Sequence, residues 1–210
     1  MRLTLALVAA VATLAACTES PTQVADATPS FAMADAGSVV ASATGSGHAL
    51  CTDDGVLCYS QDGDDVLRTF SFTARLHADG TARGVAQFNN RGRDLAWSAD
   101  VECLYIRPDK PNQAWIAGTL TRGHGQAVSP SGIPYATGAR VLFAVEDNGQ
   151  GGTATAPDRI LGFGTAPEQN YQLLCNAPQF FPPEQLDLFM QVFGFNPIRG
   201  NIQVRPPSGD

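Results

Sequence analysis

From Thr69 onward, apolar and polar side chains alternate along this chain, which is the pattern of β-strands with one buried face. In the clearest stretch, apolar residues occupy every second position: Phe70, Phe72, Ala74 and Leu76. The turn Ala78-Asp79-Gly80 follows directly, and an Asp-Gly pair is typical of a β-hairpin. The alternation therefore predicts consecutive strands joined by tight turns.

The same period of two recurs at 81–88 and 95–105. Turns and loops then delimit four more short strands, at 114–121, 140–146, 159–163 and 201–205. About seven or eight short antiparallel strands predict an all-β meander that forms a small barrel, with a sandwich as the alternative. Glycines inside the strands favour the barrel, because they mark bends and bulges that close a sheet. They are Gly84, Gly118, Gly162 and Gly164.

One segment has the period of a helix instead. Leu186, Phe189, Met190 and Phe193 are spaced i, i+3, i+4 and i+7. Two prolines suit the start of a helix and a glycine suits its end, so we expect one short helical insert over 182–195. We expect this helix to cover an open end or face of the sheet.

The N-terminus has the features of an export signal. Arg2 precedes an uncharged apolar run over 3–16, which is too short to span a bilayer. The run ends in Leu14-Ala15-Ala16-Cys17, which resembles the lipobox of bacterial lipoproteins. That resemblance implies a signal peptide over 1–16 and acylation of Cys17, with an ordinary secretory signal as the alternative. In lipoproteins of didermic bacteria, an aspartate directly after the lipidated cysteine resembles an inner-membrane retention signal. This chain has Thr18 at that position, which favours the outer membrane.

Composition divides the exported part into three segments. Residues 17–46 are rich in Ala, Ser, Thr, Pro and Gly, so we expect a flexible, lipidated tether there. We expect a single β domain over 47–206 and a disordered tail over 207–210. The formal net charge of -7 repels phosphate backbones, which argues against nucleic-acid binding. Membrane contact is therefore expected through the lipid alone, and a protein or small-molecule partner stays open.

Four cysteines remain beside the lipidated one: Cys51, Cys58, Cys103 and Cys175. An even number in an exported chain predicts disulfides, and four cysteines allow three pairings. We favour Cys51–Cys58 and Cys103–Cys175. A four-cysteine metal site is the alternative, but the chain lacks paired C-x-x-C spacing.

Two groups of residues are candidates for ligand binding. Asp147, Asn148 and Asp158 flank a Gly-rich loop whose oxygens suit calcium, although a turn that satisfies its own backbone is the simpler interpretation. No other cofactor is indicated. The second group is expected to line a barrel mouth, with core packing as the alternative. Its members are Trp97, Tyr105, Trp115 and His77.

Several phrases of the chain resemble a group of uncharacterised bacterial exported domains. They include Thr69-Phe70-Ser71-Phe72, His77-Ala78-Asp79-Gly80-Thr81, Val101-Glu102-Cys103-Leu104 and Ala114-Trp115-Ile116-Ala117-Gly118, in this order. The similarity covers most of residues 65–205 and implies a β domain and export, but no activity. It also implies that Cys103–Cys175 is the more general of the two disulfides.

Two functions follow from these features. The first is a membrane-anchored binding or structural module, which the tether, the acidic β domain and the lack of a catalytic motif favour. The second is a small-molecule enzyme, such as a cyclase or hydrolase, with its site in a barrel mouth. A side-chain-filled interior would support the first, and a deep pocket that joins a histidine to a carboxylate would support the second.

Overall fold

The structure is a computed structural model that describes residues 37–51, 66–91, 95–124, 132–149, 156–195 and 199–207. The predicted signal peptide, Cys17 and Cys58 lie outside these residues. The described strands are β1 Val39–Cys51, β2 Val66–His77, β3 Ala82–Asn90, β4 Leu95–Ile106, β5 Gln113–His124, β6 Arg140–Glu146, β7 Arg159–Thr165, β8 Gly194–Phe195 and β9 Arg199–Arg205. The helices are α1 Glu168–Asn176, a 3-10 turn Pro178–Phe180 and α2 Pro183–Phe193. None of the described helices has the length and apolar character needed to span a bilayer.

The strands form one curled, half-barrel sheet in the order β8-β7-β6-β5-β4-β3-β2-β1-β9. Every neighbouring pair is antiparallel, and β1 to β7 follow one another as in a meander. Only β9 departs from this order, because it returns beside β1. The prediction of an all-β antiparallel meander is confirmed, and the alternative of two packed sheets is not what forms.

The inner face of the curled sheet is filled with apolar side chains. Phe72 meets Phe143 edge to face with ring centroids 5.4 Å apart, and Phe88 lies beside Trp97 at 5.8 Å. Phe143 and Ile202, from distant parts of the chain, are fully buried in this cluster. These are the residues that the alternation assigns to a buried face, so the period of two accounts for the inner core.

A β-bulge changes the facing of β4 halfway along the strand. Val101 pairs with Gly118 but Cys103 pairs with Ala117, so Glu102 is an extra residue on β4. Beyond the bulge, Leu104 lies in the inner core while Cys103 lies on the outer face. An unbroken period of two over 95–105 would place Cys103 and Tyr105 on the face of Trp97. That expectation is wrong, because an extra residue in one strand reverses the alternation.

The two helices cover the outer face of β4 to β7 and form a second apolar cluster there. Leu186 and Met190 of α2 are buried in it, which confirms the predicted helical insert. Tyr171 and Leu174 of α1 are buried beside them. Helix α1 was not predicted, since nine residues with a short apolar stripe give a weak periodic signal.

Strand β1 corrects the predicted domain boundary. It begins at Val39, whereas the composition placed the flexible tether as far as residue 46. Small residues are required here because β1 lies between β2 and β9 under large side chains. A Cβ atom on Gly45 would lie 2.6 Å from Cε1 of Phe72 and 3.1 Å from Cγ1 of Ile202. The Ala/Ser/Gly composition thus reflects close packing and not a tether.

Candidate functional site

The helices leave the outer face of β9, β1, β2 and β3 uncovered, and this face carries hydroxyl and amide side chains. One row of directly paired residues crosses six strands, and we call it the polar row. Its members are Asn201, Ser46, Ser71, Gln87, Ser98 and Arg122. Five of the six are uncharged.

Two open clefts lie along the polar row. The larger, of about 700 Å³, is lined by Ser71, Gln87, Ser98 and Arg122 of the row. The smaller, of about 410 Å³, is lined by Ser71, Ser46 and Asn201. Because both clefts contain Ser71, they adjoin at this residue and together follow the row from β9 to β5.

A second cluster of polar groups lies on the helix-covered side, at the β4 bulge. We call it the thiol cluster, and it consists of Glu102, Cys103, Arg140, Tyr171 and Cys175. The Tyr171 hydroxyl donates a hydrogen bond of 2.6 Å to Oε2 of Glu102. The guanidinium of Arg140 lies 4.0 Å from the centre of the Tyr171 ring and donates to the same Glu102 oxygen at 3.0 Å.

Further contacts hold Arg140 in place above α1. Its Nε donates to Oε2 of Glu168 at 2.8 Å, and its Nη1 also donates to the Thr119 hydroxyl. Thr119 in turn donates to Glu102 at 3.0 Å. The guanidinium is thus held by two carboxylates and a hydroxyl, which fixes it beside Tyr171 and the first turn of α1.

The two thiols of the cluster are chemically unequal. Cys103 and Cys175 share a hydrogen bond, which lowers the pKa of Cys175 and raises that of Cys103. Tyr171 and Arg140 lower the pKa of Cys175 further, against the opposing effects of desolvation and of Glu102. Burial and the neighbouring Glu102 raise the pKa of Cys103 further. Cys175 is half-buried and Cys103 is buried, so the more acidic thiol is also the more accessible one.

The structure contains Cys103 and Cys175 as thiols, so the predicted disulfide between them is not formed. The two predicted partners nevertheless lie in the same cluster, because the bulge in β4 turns Cys103 toward α1. Facing thiols still need an oxidant before a bond forms, and sequence spacing carries no information on oxidation. The other predicted disulfide involves Cys58 and the side chain of Cys51, which lie outside the described residues.

Arg107 is a fully buried cation that the sequence analysis did not identify. Its side chain is 1% exposed, and it donates to both oxygens of Asp109, at 3.1 and 2.5 Å. It also donates to Gln113 at 2.9 Å and to Asp187 of α2 at 2.5 Å. Hydrogen bonds from Lys110 and Arg107 lower the pKa of Asp187. These contacts join the end of β4 to α2, which is a structural role.

The calcium candidates are engaged with backbone N–H groups. Asp158 accepts from Asn148 at 3.0 Å and from Ile202 of β9 at 2.9 Å. Asp147 accepts from Gly149 at 3.0 Å and from Val204 of β9 at 3.1 Å. Among the described residues no group of three or more His, Cys, Asp or Glu is arranged to hold a metal ion. This geometry agrees with the simpler interpretation, and it ties β9 to the loop between β6 and β7.

The four residues expected to line a barrel mouth are not brought together. Trp97 is buried in the inner core and also belongs to the lining of the larger cleft, while Trp115 and Tyr105 lie in the outer cluster under the helices. His77 is buried at the end of β2, where its Nδ1 donates to the carbonyl of Gly37 at 2.6 Å. The alternative of core packing therefore describes the aromatic residues.

Only weak signals in the sequence pointed to the polar row and the thiol cluster, the two groups of residues that the structure brings together. The polar row consists of the solvent-side positions of ordinary alternating strands, so its only signal was the run of Ser, Thr, Asn and Gln at those positions. The thiol cluster depends on the bulge at Glu102 and on α1, neither of which was predicted. Gly118, which pairs with Val101 beside the bulge, was the one available pointer.

Comparisons with models of known protein families, with curated proteins and with solved structures find no match to this chain. The resemblance to bacterial exported domains and to lipoproteins therefore stays a prediction from the sequence.

Proposed function

We propose that this protein is an exported, lipid-anchored binding module whose folded domain uses the polar row to hold an uncharged, hydroxyl-rich ligand, namely a neutral glycan chain. The observation that supports this most is the unbroken row itself, which is flanked by the two adjoining clefts. The filled inner face, with Phe143 and Ile202 fully buried, favours binding on the outside of the sheet over catalysis in a barrel mouth.

The chemistry of the row matches a neutral glycan. Serine hydroxyls and the amides of Asn201 and Gln87 each donate and accept hydrogen bonds, as sugar hydroxyls do. The described lining of the smaller cleft carries no charged side chain, and Arg122 is the charged residue of the larger one. An anionic ligand would in addition be repelled by the net charge of -7.

The length of the row favours an extended ligand over a small molecule. Six strands have five spacings of about 4.8 Å, so the row is about 24 Å long. The clefts are open along this length, which suits a chain that lies across the strands. An oligosaccharide of several sugars would contact residues from β9 to β5 at once.

The test is direct binding of defined hexasaccharides to the full chain. Isothermal titration with cellohexaose, maltohexaose and chitohexaose should show binding of at least one. Dextran sulfate serves as the polyanionic comparison and should not bind. Ser71→Tyr should abolish the binding, because Ser71 lies where the two clefts meet and a phenol ring would obstruct both.

The matched control is Ser38→Tyr, which makes the same substitution at an exposed position outside both clefts. It should leave the affinity unchanged. If the wild-type chain binds none of the three hexasaccharides, or if Ser71→Tyr binds as well as Ser38→Tyr, the proposed function is wrong.

The anchor is the second part of the proposal and depends on the N-terminal sequence alone. Each buried methylene contributes about 0.8 kcal/mol, so the several acyl chains expected on Cys17 would hold the domain firmly at a membrane. Mass spectrometry of the native protein should find Cys17 acylated at the new N-terminus, and Cys17→Ser should move the protein from the membrane fraction to the soluble fraction. An unmodified N-terminus at another residue would contradict the anchor.

A further inference from the structure

The thiol cluster lies outside the proposed binding surface. It combines two thiols with a guanidinium, a carboxylate and a phenol in one packed group. Cys103 comes from the bulge in β4 and Cys175 from the last turn of α1, and their thiols hydrogen bond to each other. The polar row lies on strands β9 to β5, beyond the helices. The two sites are therefore separate.

The surroundings of the two sulfurs favour different roles. Cys175 is half-buried, and the thiol of Cys103 and, to a smaller extent, the Arg140 guanidinium lower its pKa. Cys103 is buried, so desolvation disfavours an anion there more strongly, whereas Glu102 raises the pKa of both thiols. A thiolate is the nucleophile in sulfur chemistry, so negative charge is better tolerated at Cys175.

The position of Cys175 at the end of α1 by itself disfavours a thiolate there. A helix C-terminus carries a partial negative charge, which disfavours an anion at Cys175. The thiol of Cys103 supplies a hydrogen bond, and Arg140 supplies a positive charge whose effect on the pKa of Cys175 is smaller than the opposing effect of Glu102. The pKa of Cys175 is lowered chiefly by the hydrogen bond with Cys103.

We propose that Cys175 and Cys103 form a thiol–disulfide exchange site in which Cys175 attacks a disulfide co-substrate and Cys103 resolves the product. The geometry that carries this is one half-buried and one buried thiol that belong to the same packed cluster, beside the Arg140 guanidinium. The pair is thus a reversible redox site and not a permanent crosslink.

The steps balance with a disulfide as the oxidant. The Cys175 thiolate attacks one sulfur of the co-substrate, which forms a mixed disulfide and releases one thiolate. Cys103 then loses its proton to solvent and attacks the Sγ of Cys175, which forms the Cys103–Cys175 bond and releases the second thiolate. The two protein thiols are oxidised by two electrons, and the co-substrate is reduced to two thiols. The new bond would tie the end of α1 to the β4 bulge.

The test uses the reduced full chain and oxidised glutathione as the probe, with the state of each cysteine read by differential alkylation and peptide mapping. In the wild-type chain we expect a Cys103–Cys175 disulfide with only transient glutathione on Cys175. Cys103→Ser should accumulate a stable glutathione adduct on Cys175. Cys175→Ser should form its Cys103 adduct at least about tenfold more slowly, because the remaining thiol is buried and less ionised.

A measurement without substitutions keeps the test independent of folding defects. In the reduced wild-type chain, iodoacetamide should modify Cys175 faster than Cys103 at neutral pH. Arg140→Gln, which removes the guanidinium but leaves both thiols, should move the pH midpoint of Cys175 alkylation upward. Equal or reversed alkylation rates, or equal adduct formation in the two serine variants, would overturn the exchange site, whatever the result of the glycan titrations.

Discussion

The contacts of Asp158 with β9 predict that removing its carboxylate destabilises the protein. Its carboxylate accepts the N–H of Ile202 in β9 at 2.9 Å and the N–H of Asn148 at 3.0 Å. A hydrogen bond to a charged group contributes about 1.5–3 kcal/mol. Asp158→Ala removes both, and water can replace part of the loss because the site is only half-buried. We therefore expect the free energy of unfolding to fall by about 2–4 kcal/mol.

The assay is urea denaturation followed by tryptophan fluorescence, since Trp97 and Trp115 lie in the two cores. Hydrogen–deuterium exchange of the β9 segment supplies the local readout and should become faster. Asp158→Asn should fall between wild type and alanine, because its amide oxygen can still accept from one of the two N–H groups.

The matched control is Asp79→Ala. Asp79 also accepts two hydrogen bonds through one carboxylate oxygen, from the N–H and the hydroxyl of Thr81, but it does so in an exposed hairpin turn. Its removal should leave stability nearly unchanged. A wild-type-like Asp158→Ala, or unchanged exchange in β9, would refute the argument. Loss of stability on adding EDTA would instead show that Asp158 acts through a bound cation.

Two further predictions concern the glycine in β3 and the carboxylate on α2. Gly84→Ala should lower the free energy of unfolding, measured by urea denaturation, by at least about 3 kcal/mol, because φ is +156° and the new Cβ would lie 1.8 Å from the carbonyl oxygen of Thr73. The control Gly80→Ala should lower it much less, because φ is +80° there and nothing lies within 4 Å of the new Cβ. Equal effects of the two substitutions would contradict the close approach at Gly84. The pKa of Asp187 is lowered by Lys110 and Arg107, so its contribution to stability is complete above the ordinary aspartate value of about 4 and is lost as the pH falls through the lower, folded-state value. Asp187→Asn should therefore flatten the decline of unfolding free energy as the pH falls below about 4, and an unchanged pH profile would show that the carboxylate contributes nothing.

Much of the fold could be predicted because alternation is a local property. The strands after Thr69 follow from side chains that change face at every residue, and α2 follows from the spacing of Leu186 and Met190. Strand β1 was missed although it alternates. Polar residues take turns with alanine and glycine over 41–49, but alanine and glycine are too small to give a strong apolar signal, and their role appears only when Phe72 and Ile202 pack over Gly45.

The candidate sites depended on contacts between distant segments. The expected ligand residues were grouped by type, but Trp97 and Trp115 lie on opposite faces of the sheet. The alternative interpretation of the calcium candidates, in which Asp147 and Asp158 accept from N–H groups of their own loop, agrees with the structure. Their bonds to β9 could not be inferred, since that strand is remote in sequence. The polar row required the register of six strands at once.

The amino-acid sequence is sufficient to assign most of the described chain to an antiparallel sheet with an apolar inner face. The reason is that the order of apolar and polar residues along a strand indicates which side chains are buried. Three-dimensional pairing was needed to learn where that regularity breaks. A single extra residue at Glu102 reverses the facing of everything after it in β4, and α1 then meets the displaced Cys103. A bulge is a mismatch between two strands, so neither strand alone contains it.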